Sequence, residues 1–135
     1  MMADLLSGLR PDESWHGEGV LHLPGFADAP ALWTALQPVL AAAPFRHLVT
    51  PGGKTMSVSM TNCGEVGWVS DRTGYRYDAV DSLSGRPWPD MPDVFRDVAR
   101  RAAAAFGAPD FVPDACLINC YEVGTRLTAH QDRDE

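Results

Sequence analysis

The 135-residue chain reads as an α+β fold. Two segments carry apolar residues at helical spacing between start and stop signals, and two alternate with the period of two that marks strands. Eleven prolines and twelve glycines, spread without a period, fit a loop-rich domain. Hydrophobic residues are 45% of the chain and charged residues 21%, which excludes wholesale disorder.

In chain order, residues 19–25 read as a short strand closed by a Pro-Gly turn. Asp28 is placed to cap a helix starting near Pro30, with Leu32, Leu36, Val39 and Leu40 on one face. Pro38 is expected to kink that helix or end it early. Thr50-Pro51-Gly52-Gly53 is a turn. Residues 54–61 alternate Thr55, Ser57, Ser59, Thr61 against Met56, Val58, Met60, which predicts a half-buried strand. Residues 62–88 hold Trp68, Tyr75, Tyr77 and Trp88 among glycines and polar residues, and predict short strands and loops.

Asp90-Met91-Pro92 has the pattern of an N-cap followed by proline in the first turn. The helix runs to about Phe106 and stops at Gly107, with Met91, Val94, Phe95, Val98, Ala102 and Phe106 turned to a core. Residues 115–121 form a strand, residues 122–125 a hairpin turn, and residues 126–132 a returning strand. There is no internal repeat.

The net charge of −7 argues against tight non-specific binding to nucleic acid through global attraction. The charge is uneven: residues 1–44 carry −4, residues 45–77 carry +2 and residues 78–135 carry −5. An anionic partner is therefore expected on the middle segment, although scattered surface charge gives such a split by chance. No apolar run approaches the roughly 18 residues of a membrane span, and the N-terminal residues lack the pattern of a secretory leader. Cys63, Cys116 and Cys120 form neither a zinc-type pair nor an even disulfide set, so a reducing cytoplasm is expected.

His130 and Asp132 stand two apart, on one face if the last segment is a strand. One imidazole beside one carboxylate is two-thirds of the facial triad that holds non-haem Fe(II) and leaves positions open. A surface histidine near acids gives the same tripeptide by chance. Asn119 and Tyr121 share a face of the preceding strand, and a hairpin at 122–125 brings them toward the same place. Their amide and phenol suit a small carboxylate ligand. Asparagine is a poor strand former, which favours a specific role for Asn119 over a turn residue; Tyr121 on its own is equally an ordinary half-buried aromatic.

The segments 56–64 (Met-Ser-Val-Ser-Met-Thr-Asn-Cys-Gly), Gly67-Trp68, 109–111 (Pro-Asp-Phe), 113–119 (Pro-Asp-Ala-Cys-Leu-Ile-Asn) and 130–135 (His-Gln-Asp-Arg-Asp-Glu) resemble the bacterial AlkB family. These are Fe(II)/2-oxoglutarate dioxygenases that repair alkylated DNA. The likeness runs from about Phe26 to the last residue. It implies a double-stranded β-helix, or jelly-roll, with flanking helices and a nucleotide-recognition lid. The chain divides accordingly into an N-terminal extension (1–44), the lid (45–89) and the start of the dioxygenase core (90–135).

The resemblance also implies roles. His130 and Asp132 bind iron, and Asn119 and Tyr121 contact 2-oxoglutarate, with O2 as the second cosubstrate. The reaction hydroxylates an N-methyl group of 1-methyladenine or 3-methylcytosine in single-stranded DNA, with RNA left open, and formaldehyde is released. An enzyme that works on a base extrudes it from the stack or takes single strands. Trp68 resembles the stacking residue for that base, with Met60 lining its pocket; core packing is the ordinary alternative for Trp68. Thr50, Tyr75, Arg76 and Tyr77 match positions near the nucleic-acid backbone. Asp134 matches an acid facing the damaged base, where a solvated acid is the plain alternative, and Glu135 is a weaker match.

Two departures stand out. Cys120 lies where family members carry arginine, and it is read as a small buried hydrophobe. The distal iron-binding histidine and the 2-oxoglutarate-clamping arginines of the family follow beyond Glu135. His16, His22 and His47 all lie too early to replace that histidine. The fold is thus expected to be incomplete and the 135-residue stretch inactive by itself. A monomer is expected. The competing reading is a non-catalytic protein that grips single-stranded nucleic acid.

Overall fold

A computed structural model describes residues 14–130. The elements in order are β1 (Ser14–Trp15), β2 (Leu21–His22), α1 (Ala29–Ala42), β3 (Ser59–Gly64), β4 (Gly67–Asp71), β5 (Gly74–Asp78), β6 (Val80–Asp81), β7 (Arg86–Pro87), α2 (Asp93–Phe106) and β8 (Ala115–Cys120). The strands form four antiparallel pairs: β1 with β2, β3 with β8, β4 with β5, and β6 with β7.

Helix α1 starts as the sequence predicts. Asp28 accepts the Ala31 N–H at 3.2 Å, and proline sits in the first turn. Pro38 does not end it. That residue forfeits one helical hydrogen bond, but Val39 beyond it is buried against Cys63 and Met91. The Ala43 N–H closes the helix on the Val39 carbonyl at 2.8 Å. Packing of one buried side chain thus carries the helix past its proline.

Helix α2 differs from expectation at its start. Asp90 is not the cap; Pro92 is the N-cap, with no side-chain hydrogen bond. Its carbonyl accepts the Phe95 and Arg96 N–H groups at 3.0 and 3.1 Å. Asp93 places its charge in the first turn, where the helix dipole favours it. The helix ends as predicted at Gly107, whose φ of 108° is left-handed. Met91 and Phe95 join the core, but Val94 and Phe106 are exposed. The helix turns Phe95, Val98 and Ala99 toward α1 and β8, and Val94 lies about 100° round from Phe95. Phe106 instead lies against Trp15, ring centroids 5.2 Å apart.

The strand expected over 54–61 begins only at Ser59, and it is buried on both faces rather than half-buried. Residues 46–56 fold back on themselves through Met56 N–H to the Leu48 carbonyl and Thr50 N–H to the Lys54 carbonyl, both 2.8 Å. Among the polar side chains of β3, Thr61 and Asn62 tolerate burial because each finds a partner. Thr61, fully buried, donates to the Ala43 carbonyl at 2.7 Å.

Strand β8 ends at Cys120, and its partner is β3, with Met60 opposite Asn119 and Cys63 opposite Cys116. The returning strand expected over 126–132 is not formed across 126–130. Among the described residues no strand lies beside that segment to share its hydrogen bonds. The turn itself is present: Thr125 donates its N–H and its hydroxyl to the Glu122 carbonyl at 3.0 and 2.7 Å. Because β3 lies within 45–89 and β8 within 90–135, a continuous ladder joins those two segments.

Candidate functional site

The β4–β5 hairpin carries the aromatic residues singled out in the sequence. Trp68 stands opposite Tyr77 and Ser70 opposite Tyr75, so both tyrosines share the Trp68 face. Trp68 and Tyr75 stack, with centroids 5.5 Å apart and planes 19° from parallel. Trp68 is half-buried, while Tyr75 and Tyr77 are exposed. One side of the hairpin is therefore a flat aromatic surface open to solvent.

Buried polar contacts hold that surface in place. Asn62, 1% exposed on β3, donates its amide to the Trp68 carbonyl at 3.0 Å and accepts the Trp68 N–H at 2.9 Å. Gly67 must be glycine for close approach: a Cβ there meets the Trp88 ring at 2.5 Å and the Asn62 Cβ at 2.8 Å. Trp88 is buried, donates its indole N–H to the Asp78 carbonyl at 2.9 Å, and has the Arg46 guanidinium 5.2 Å from its ring centre. Arg46 grips Asp81 through two hydrogen bonds of 2.6 and 2.9 Å. Asp81 is 1% exposed. The Arg46 hydrogen bonds hold its carboxyl below the usual carboxylate range against the opposing effect of burial, and the Leu83 N–H adds to them.

Met60 and Asn119 are direct cross-strand partners, so the structure brings these two candidates together. The side-chain oxygen of Asn119 is buried and has no hydrogen-bond partner. An unpaired buried carboxamide oxygen costs about 1–3 kcal/mol, so a ligand that satisfies this amide recovers that cost. Tyr121 lies just past the end of β8 and is exposed. His130 lies beyond the 122–125 turn, exposed, with Nδ1 2.9 Å from the Thr128 carbonyl. A proton on Nδ1 directed at that carbonyl leaves Nε2 as the unprotonated nitrogen of the neutral ring.

The phosphate-contact candidates fall in different places. Arg76 is on the hairpin face opposite the tyrosines, 3.0 Å from Asp71 and 3.6 Å from Asp78. Thr73 hydrogen bonds, with Arg76 adding to them, hold the Asp71 carboxyl below its ordinary value. A phosphate at Arg76 competes with these two acids. Thr50 accepts the Lys54 N–H at 3.1 Å through its hydroxyl and so shapes its own turn. Asp132, Asp134 and Glu135 lie outside the described residues. Among the described residues no three His, Cys, Asp or Glu side chains gather as a metal site.

Asn62, Arg46, Asp81 and Trp88 were not among the sequence candidates. The argument that singled out Asn119, an asparagine inside a strand, applies equally to Asn62.

A family model described as the 2OG-Fe(II) oxygenase superfamily matches residues 19–135. The chain belongs to that superfamily. Over 99% of its length it is 47% identical to the alpha-ketoglutarate-dependent dioxygenase AlkB of Escherichia coli K12. Over the same share it is 50% identical to AlkB of Salmonella typhimurium. Over 83% of its length it is 45% identical to an AlkB homolog of Caulobacter vibrioides. The chain spans about 63% of the first two relatives and 50% of the third. That superfamily is one of Fe(II)- and 2-oxoglutarate-dependent oxygenases, and the first two relatives are named as alpha-ketoglutarate-dependent dioxygenases. No helix among the described residues is long and apolar enough to cross a membrane.

Proposed function

We propose that the protein removes alkyl groups oxidatively from N-alkylated bases, 1-methyladenine and 3-methylcytosine, in single-stranded DNA and as a second substrate RNA. The observation that carries this reading is the solvent-open Trp68–Tyr75 stack, pinned from beneath by buried Asn62. Every base has a π-face, so a fixed aromatic platform suits an extruded base. Residues 45–89 are read as a nucleotide-recognition lid on the first part of a jelly-roll, and the protein as a cytoplasmic monomer.

His130 and Asp132 would hold the iron, and Asn119 and Tyr121 the 2-oxoglutarate. The carboxamide of Asn119 can turn to present either its NH2 or its oxygen, and the orphaned oxygen marks that end of the site as suited to a polar ligand. Bound Fe(II), 2-oxoglutarate and O2 supply the oxidation of an N-methyl C–H bond to an alcohol, which collapses to formaldehyde and the repaired base. The protein's own part is to orient: Trp68 and Tyr75 hold the base flat, Met60 borders it beside Asn119, and Asp134 accepts a hydrogen bond from the exocyclic amine. Tyr75 and Tyr77 would meet the phosphate backbone on the platform face, with Thr50 and Arg76 contacting it from separate positions.

Within residues 1–135, His130 and Asp132 make two of the three ligands of the facial triad. That stretch alone is therefore expected to bind Fe(II) weakly and to dealkylate nothing. The test is formaldehyde release from a methylated single-stranded oligonucleotide by the protein expressed at its full genomic reading frame. Release must require Fe(II), 2-oxoglutarate and O2. Failure to act on either methylated base overturns the proposal, and robust release by the 135-residue stretch overturns the account of its ligands.

A further inference from the structure

We propose that Cys63 and Cys116 form a dithiol that peroxide converts reversibly to a cross-strand disulfide. The two residues are exact partners in the β3–β8 ladder. Facing residues of an antiparallel pair lie about 4.5–5.5 Å apart at Cα, inside the roughly 4.4–6.8 Å that a disulfide spans. As direct cross-strand partners their side chains share one face of the ladder. Neither strand has to move far to close the bond.

The two sulfurs differ in access. Cys63 is 0% exposed and packs in the core with Val39 and Met91. Cys116 is partly exposed and lines an apolar groove of about 430 Å³ between the helices, with Leu36, Phe95 and Ile118. A small neutral oxidant entering the groove meets Cys116 first. The neighbouring Cys63 thiol moves the Cys116 pKa down, while Cys116 and burial hold the Cys63 thiol up.

The chemistry closes in two steps. The Cys116 thiolate attacks one oxygen of hydrogen peroxide, the O–O bond breaks, and hydroxide leaves with Cys116 as the sulfenic acid. The Cys63 sulfur then attacks the sulfenic sulfur; its proton and the departing OH leave as water. Two thiols and one peroxide become one disulfide and two waters, and a dithiol reductant reverses the change. Cys120 cannot substitute. It sits four residues along β8 from Cys116, about 13 Å away, beyond disulfide reach of either sulfur.

The experiment treats the purified full-length protein with a small excess of hydrogen peroxide and reads the digest by mass spectrometry. The expected result is a linked peptide pair joining Cys63 to Cys116, lighter by two hydrogens, that dithiothreitol separates. Cys63→Ala should then stop at a Cys116 sulfenic acid that dimedone traps, and Cys120→Ser should leave the link intact. A bond through Cys120, a disulfide between molecules, or Cys116 carried to sulfinic acid in the unmutated protein while Cys63 stays a free thiol overturns the proposal. The wild-type digest decides it even if the Cys63 variant folds poorly.

Discussion

The β4–β5 hairpin and the segment 121–130 carry the two halves of the proposed chemistry, and they are built on opposite plans. The hairpin rests on side chains without solvent: Asn62, Asp81 and Trp88 are all buried and each is hydrogen-bonded. The segment 121–130 is exposed apart from half-buried Thr125, whose hydroxyl bonds the Glu122 carbonyl of its own turn. The proposed base platform is thus held by contacts close at hand. Tyr121 and His130, proposed for the cosubstrate and the metal, are both exposed rather than buried. The difference teaches that a recognition surface and a reaction centre on one chain can owe their order to separate sets of partners.

The sharpest way to separate the two is to remove a ligand. His130→Ala or Asp132→Ala in the full-length protein should lower formaldehyde release at least about 100-fold, since each takes away a proposed iron ligand. Because His130 is exposed, the His130 variant should keep its melting temperature. A His130 variant that unfolds, or one that still turns over, breaks the comparison.

The converse change attacks the platform. Asp81→Ala leaves the buried Arg46 charge without its partner and should cost about 3–5 kcal/mol, measured by denaturant unfolding. The pH dependence has a definite sign. The folded state holds the Asp81 carboxyl below its ordinary value, so its contribution is complete above about pH 3.9. It is lost as pH falls from there through the lowered folded value. The alanine variant should lack that part of the acid-side slope, and an unchanged slope would show that the pair does not stabilise the fold.

How far the sequence showed these regions follows from the range of the contacts. Helix α1 and the end of α2 were legible because Asp28 and Gly107 act on their own neighbours. The turn at residues 50–53 and the aromatic content of the hairpin were legible for the same reason. The β3–β8 pairing was not, because no periodicity in residues 59–64 names residues 115–120 as partners. The same holds for Arg46 and Asp81, which are 35 positions apart. Alternation misjudged β3, since Thr61 and Asn62 are buried with partners from elsewhere. It misjudged residues 126–130, since a strand needs a neighbour as well as a pattern. In the candidate site, Asn119 was found by its unsuitability for a strand, and Asn62 was passed over despite the same trait.

The smallest expected effect probes the platform itself. Trp68→Ala should weaken binding of the methylated base by about 1–3 kcal/mol, the worth of one base–aromatic stack. It should spare 2-oxoglutarate decarboxylation measured without nucleic acid, because the change lies on the recognition side of the molecule. Equal loss of both activities would make Trp68 a packing residue and join the two regions that the comparison separates.

The two glycines that bound the β4–β5 hairpin offer different routes to sequence drift. Gly67 lacks room, with the Trp88 ring 2.5 Å from where a Cβ would stand. Gly74 has open space around it and lacks only a conformation, its φ being 122°. Relief at Gly74 must come from the backbone of its own turn, through a single substitution or a change of turn length. Relief at Gly67 needs a smaller side chain at position 88, and that gives up the hydrogen bond to Asp78 and the surface on which Arg46 rests. One end of the hairpin can therefore diverge by itself, while the other is tied to residues 46, 62, 78 and 88 and changes only in concert with them.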